Sequence, residues 1–203
     1  IYSDSSIYVY KRNSLFVIMP VFVDDGMLAS NSLSLLKELI SLIATHFKLR
    51  DLGETSYLLG IQITRNRSLR RIELSQRQYI LDMLQRYNMA DCKPVTTPML
   101  PGLRLSIADS PQTQEEKDRM ASVPYGSAVG SLLYLATSTR PDISYAVSCL
   151  CRFISNPGQA HWKAVQHLFR YLQGTKDTKL VYQGDQFNYK EIFSAFSDAD
   201  HAG

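Results

Sequence analysis

Cysteine is scarce in this 203-residue sequence: Cys92, Cys149 and Cys151 are an odd set, too sparse for a disulfide framework. A reducing compartment is therefore expected. Cys149 and Cys151 stand two residues apart, which on a helix turns them to different faces, so they are a poor basis for a metal site. No run of eighteen apolar residues occurs and no basic-then-apolar segment opens the chain, so no membrane partner is expected. Charge of one sign is also in short supply. A formal net charge of +3 permits a polyanionic partner without requiring one. Among the 4 histidines, His161 and His167 lie about 240° apart around a helix and cannot share a metal, and His46 and His201 have no partner at ligand spacing. The single tryptophan, Trp162, falls near the start of a helical stretch, where a packing anchor is expected rather than a stacking platform for a base. An initiating methionine is absent too. The chain runs from Ile1 to Gly203, directly after a polar "SDADHAG", and a segment of something longer is expected.

What is present is a globular composition, 45% hydrophobic and 20% charged, enough for a core in one large domain or two small ones. "SIYVYKR" and "LFVIMPVFV" are β-rich runs separated by Asn13-Ser14, with Pro20 marking a bulge or edge in the second. The acids Asp24 and Asp25 follow, then Gly26 and a short return, which predicts a hairpin with acids at its tip. Asp25-Gly26 suits a two-residue turn, and a tip one residue earlier is equally compatible. Leu33, Leu36, Ile40, Ile43 and Phe47 predict an amphipathic helix, capped by Asn31 or Ser32 and ended by "RDLG". "YLLGIQIT" and "RRIELS" predict a second hairpin with a basic tip. Ser75 and Gln78 form a potential capping box for a helix whose apolar face is Ile80, Met83, Leu84 and Tyr87. Residues 91–123 predict a long irregular connection. Three helices follow: one from about Pro124, one capped by Thr139 with Asp142 three residues on, and one closing at Gly174 as its C′ residue. "KLVYQ" and the alternating "EIFSAFSDAD" are β-like. No internal repeat is present.

Three stretches carry chemistry. Asp24-Asp25 on a strand-flanked tip can hold divalent cations, and two hard cations about 4 Å apart clamp the attacking and leaving oxygens of phosphoryl transfer; a solvated turn is the plain alternative. Arg65, Arg67, Arg70, Arg71 and Arg77 lie within thirteen residues, against Glu73 alone. Their forked donors suit phosphate backbones, although an isolated basic tip is more often simply solvated. Alternation in "IFSAFS" puts Asp198 at the end of a strand, where an acid could bind metal or end a polar loop.

The order of the blocks adds a resemblance. "VFVDD", "HFKLRDLGETSYLLGIQI", "LSQRQYILDMLQRYNM", "CKPVTTPM", "SAVGSLLYLATSTRPDISYAV", "AHWKAVQHLFRYLQGT" and "SDADHAG" together resemble the Pol polyprotein of copia-type LTR retrotransposons. The "VFVDD" version resembles a fungal branch, with Phe22 where the family's "YVDD" box has tyrosine. The resemblance implies an α+β fold. Residues 1–74 would be the C-terminal part of a reverse-transcriptase palm, 75–174 a helical thumb and connection, and 175–203 the start of a truncated RNase H domain. It implies RNA-directed DNA polymerisation by nucleotidyl transfer with two Mg²⁺ ions, or Mn²⁺ in their place. Asp24 and Asp25 would be two of three catalytic carboxylates, and Asp198 a metal-binding residue of RNase H. The hairpin around Gly60 and Gln62 would match the primer grip, with Phe22, Arg65, Arg67, Arg70 and Arg71 also on nucleic acid. Implied partners are an RNA template, a DNA primer or RNA–DNA hybrid, dNTPs, and the fingers, RNase H and integrase parts of the same polyprotein. The implied location is a cytoplasmic virus-like particle with a nuclear phase.

The third palm carboxylate and the fingers lie upstream of this segment in the family, so the segment alone is expected to be inactive. A duplex-binding module without catalysis and a decayed transposon remnant are the alternatives.

Overall fold

A computed structural model describes residues 4–184, and the chain divides between Leu58 and Leu59 into two compact units. The fold is a mixture of antiparallel sheet and helix. The division leaves the hairpin around residues 61–75 with the helices.

In the first unit β1 (Ile7–Arg12) and β2 (Leu15–Phe22) pair antiparallel, from Arg12↔Leu15 to Ile7↔Pro20. Asn13 turns the chain at φ 56°, a conformation asparagine tolerates better than most residues. On the other side of β2 the partner is split into β3 (Asp25–Gly26) and β4 (Ala29–Ser30). The break falls opposite Pro20, whose missing N–H interrupts the ladder, while its carbonyl still accepts from Met27 N at 3.1 Å.

The helix α1 (Leu33–Ala44) is capped by Ser32, whose Oγ accepts from Leu35 N at 3.3 Å. Its buried face differs from the expected one. Leu35 is fully buried and Leu36, Ile40 and Ile43 are half-buried, but Leu33 and Phe47 are exposed. Phe47 lies beyond the helix, which stops at a Thr45 cap well before "RDLG". Asn31 does other work than capping: its side chain accepts from Phe16 N at 3.0 Å and donates to Ser14 O at 2.9 Å, tying the helix start to the first turn. Val17 and Leu35 are the buried hydrophobics of this unit among the described residues, whereas Val9, Phe16, Ile18 and Phe22 leave one sheet face exposed.

A short strand β5 (Tyr57–Leu58) precedes the second unit. There β6 (Ile61–Asn66) and β7 (Arg71–Ser75) form a hairpin, and β8 (Leu180–Gln183) adds to β7 from the far end of the chain. The helix α2 (Arg77–Arg86) presents Ile80, Met83 and Leu84 to the core as expected. Its capping box does not form. Gln76 holds the N-cap position, and Gln78 donates to Asp82 instead. Residues 91–123 are more ordered than expected, with a 3-10 turn at Ile107–Asp109 and a helix α3 (Gln114–Ala121). The helix is started by a Thr113–Glu116 capping box that the sequence carries openly.

The core is built by α4 (Tyr125–Ser138), α5 (Ser144–Cys151) and α6 (Gln159–Thr175) around α2. Leu132, Leu135, Val147, Leu150, Leu168 and Phe169 are buried there. Trp162 is the expected packing anchor, edge-on to Phe169 and to Tyr87, both at 6.4 Å between centroids.

Two expected caps are something else. Thr139 ends α4 rather than starting the next helix, and its hydroxyl donates to the Gln76 side chain at 2.7 Å in a buried contact. Gly174 lies inside α6, where an added Cβ would meet Pro94 Cβ at 3.1 Å; it is a glycine of close packing, not of helix termination.

Candidate functional site

Phe22 pairs with Asp25, so the two residues between them, Val23 and Asp24, form the turn of the acidic hairpin. This is neither of the two placements compatible with the sequence pattern, since Gly26 lies in the strand opposite Val21. Val23 takes the positive φ of 54°. A left-handed conformation costs a β-branched residue about 1–2 kcal/mol, which the ladder on either side must hold. Asp24 therefore sits on the turn and Asp25 on the first residue of β3, both exposed, with Phe22 exposed beside them.

Their four carboxylate oxygens are hard donors of the kind a divalent cation prefers, but adjacent acids are only part of a six-oxygen shell. Among the described residues no group of three or more potential ligands forms around them or elsewhere. The donor set thus fits a hard divalent ion in kind and falls short of it in number. Asp198 lies outside the described residues.

In the second unit the chain turns through Leu59 (φ 50°) and Gly60 (φ 77°) into β6. The Leu59 carbonyl accepts a hydrogen bond from the Tyr134 hydroxyl of α4. Gln62 is exposed on β6.

The hairpin register separates the arginines. Arg65 stands opposite Ile72, in line with the apolar row that runs through Ile63 and Leu74. Arg71 stands opposite Asn66, in the row of Glu73. Arg67 and Arg70 belong to the connecting loop, Arg70 with φ 50°. Arg71 is tied to Glu73 at 2.8 Å, and Glu73 also accepts from Lys179 at 2.7 Å. The Lys179 hydrogen bond leads in holding the Glu73 carboxyl below its usual range. Arg77 is paired with Asp177 at 2.7 Å. The five arginines are thus not one patch: Arg71 and Arg77 are engaged by carboxylates, and Arg65 and Arg71 take opposite faces. A shallow depression of about 440 Å³ lined by Gln85, Asn88, Ala90, Asp91 and Cys92 contains none of these candidates.

Sequence reasoning overlooked a buried polar centre in "TRPDI". Arg140 is 1% exposed, and its guanidinium forks onto Asp142 at 2.9 and 2.8 Å. It also donates to the Thr175 carbonyl and hydroxyl at 3.1 and 2.6 Å. Tyr171 places its ring 5.8 Å from the guanidinium and donates its hydroxyl to Asp142 at 3.0 Å. The available signal was a full charge inside an apolar helical pattern, which must be paired if buried. A second centre is His161, which is fully buried. Its Nδ1 accepts from Gly158 N at 2.8 Å, so Nε2 carries the proton and donates to Ser106 O at 3.2 Å. The ring stacks on Phe153 at 4.0 Å. Both centres satisfy groups within the helical unit and have structural work to do.

The α+β architecture and the acid-tipped hairpin now meet the comparisons with known proteins. The family model described as reverse transcriptase (RNA-dependent DNA polymerase) matches residues 2–101. The chain belongs to this family, as a segment of the copia-type transposon Pol polyprotein. It is 43% identical, over its whole length, to a stretch of the retrovirus-related Pol polyprotein from transposon TNT 1-94 of Nicotiana tabacum, and covers 15% of that polyprotein. It is 39% identical over 99% of its length to the corresponding polyprotein from transposon RE1 of Arabidopsis thaliana, covering 13% of it. An uncharacterised mitochondrial protein of Arabidopsis thaliana is 37% identical over 90% of this chain, which spans 71% of that relative. The chain therefore corresponds to a small fraction of the Pol polyproteins it matches. No solved structure matches it.

Proposed function

We propose that the chain supplies part of the catalytic floor and the primer-binding side of an RNA-directed DNA polymerase. In this reading residues 1–74 are the C-terminal part of the palm, 75–174 the thumb and connection, and 175–203 the start of RNase H. The observation that carries it is the pair Asp24 and Asp25, held at a two-residue turn by the Phe22↔Asp25 register within a segment matched by the reverse-transcriptase family. A tight turn between hydrogen-bonded strands is a stiff mount, and a site for phosphoryl transfer needs its acids held to a fraction of an ångström.

Asp24 and Asp25 would hold two magnesium ions, with the remaining oxygens coming from a further carboxylate, substrate phosphates and water. Bound there, the ions would acidify the primer 3′-hydroxyl and neutralise the leaving pyrophosphate. The Phe22 ring, exposed next to the acids, offers a flat surface near the primer end and no hydroxyl to donate. Gly60 and Gln62 would grip the primer strand, and Arg65, Arg67 and Arg70 would meet phosphates. Arg71, already engaged by Glu73, would contribute less. The exposed apolar face of Val9, Phe16, Ile18 and Phe22 supports completion of the first unit by other parts of the polyprotein.

The test is primer extension on poly(rA)–oligo(dT) with Mg²⁺ or Mn²⁺. The chain alone is expected to be inactive, because too few ligands are present. Joined to the upstream polymerase segment of the tobacco relative it should extend the primer, and Asp24→Asn should lower the rate by about 10²–10³-fold, the scale seen when one preorganised group is removed from a reacting centre. Undiminished extension by Asp24→Asn would refute the assignment.

A further inference from the structure

The turn at Leu59–Gly60 combines two features that leave its central peptide plane poorly determined by the local chain. Leu59 takes φ 50°, which a side-chain-bearing residue adopts at a cost, and Gly60 takes φ 77°, open on both sides because it has no Cβ. Rotating the peptide between them by half a turn would send the Leu59 carbonyl to the opposite side while barely moving the flanking strands. Alternative turn types differ in this way.

One contact selects the orientation. The Tyr134 hydroxyl donates to the Leu59 carbonyl from the third turn of α4. An added Cβ on Gly60 would lie 3.9 Å from the same hydroxyl, so Tyr134 stands directly against the turn. Tyr134 is itself held by Tyr79 of α2, whose ring meets it edge-on at 5.2 Å and 68°. Tyr79 packs against the helical core. Core, Tyr79, Tyr134 and the Leu59 carbonyl thus form an unbroken chain of contacts inside the second unit.

We propose that Tyr134 is a positioning residue for polymerisation: its hydroxyl fixes the Leu59–Gly60 peptide, and through it the placement of the primer end by Gly60 and Gln62. The proposal rests on the primer-binding role given to this turn above. Loss of one hydrogen bond worth about 1 kcal/mol corresponds to a roughly fivefold change in the ratio of the productive to the flipped orientation.

The test separates the two halves. Leucine labelled with ¹³C at the carbonyl and glycine labelled with ¹⁵N mark two peptide links in this sequence, Leu52–Gly53 and Leu59–Gly60. In the full chain, Tyr134→Phe should move the Leu59 carbonyl signal and leave the Leu52 signal in place, with the ring packing and melting temperature retained. An unmoved Leu59 signal overturns the positioning role, whatever the turn does. Within an active polymerase containing this chain, Tyr134→Phe should lower the rate constant for first-nucleotide addition measurably, by up to about fivefold, with KM for dNTP unchanged. A shifted carbonyl with unaltered kcat would instead show that the turn does not place the primer, and would overturn the primer-binding reading together with the proposal. A drop in kcat accompanied by a large fall in melting temperature would show a merely structural tyrosine and also overturn it.

Discussion

Replacing Asp142 with asparagine removes the counter-charge of a guanidinium that is almost wholly enclosed. In the native helical unit Arg140 spends its donors on Asp142 and Thr175 and meets the Tyr171 ring. Breaking a buried ion pair from one side costs about 3–5 kcal/mol, because the remaining charge stays desolvated. The Arg140 side chain is 1% exposed but that of Asp142 is 35% exposed, so water partly compensates and the lower end, about 3 kcal/mol, is expected. Trp162 reports the unfolding of this unit by fluorescence, undiluted by any other tryptophan. With a urea slope of about 2–3 kcal/mol per molar, Asp142→Asn should lower the midpoint by about 1 M. The double variant Arg140→Met with Asp142→Asn should recover at least half the loss, since it leaves no buried charge. A single variant within about 0.5 kcal/mol of the native protein would refute the reasoning, as would a double variant worse than either single one.

The pair also sets an acid limit. Burial pushes the Asp142 carboxyl up, but the Arg140 guanidinium and the Tyr171 hydroxyl outweigh it and hold the carboxyl below its ordinary 3.8. On acidification the unfolded chain therefore takes the proton first. The contribution is complete above 3.8 and is lost as pH falls through the lower folded value.

His161 should give a second, milder pH dependence. Burial pushes its imidazole below the ordinary 6.5, against the Ser106 carbonyl and the nearby Asp109 charge. The neutral form is therefore native, and stability should begin to fall as pH drops below 6.5; His161→Gln, whatever its baseline, should melt with a flatter profile between pH 7 and 5. Gly158→Ala should cost at least about 2 kcal/mol in the same urea assay, because its Cβ would fall 1.9 Å from the Asp109 backbone carbonyl, which cannot swing aside like a side chain. A midpoint within error of the native one would show that the junction gives way easily.

The sequence alone determined the elements whose cause is local or periodic. The β-branched and aromatic run "LFVIMPVFV" is enough for a strand, and Pro20 marks the break in its partner. Ile80, Met83 and Leu84 recur at helical spacing and all three are buried. Ser32 is a cap because its oxygen needs only an amide three residues away. The family, too, was legible, since it is carried by the succession of blocks and needs no coordinates.

Face, register and partner were set by long-range packing. The tip of the acidic hairpin fell at Val23-Asp24 because strand pairing, not turn preference, set it. Register likewise split the arginines, which cluster in sequence and alternate in space. Thr139 has a cap's chemistry but found Gln76, 63 residues away, and Gly174 has a terminator's freedom but serves contact with Pro94. A hydroxyl, a guanidinium or a missing Cβ states what a residue can do. Its partner is chosen when long-range burial brings polar groups together and leaves them no water to use instead.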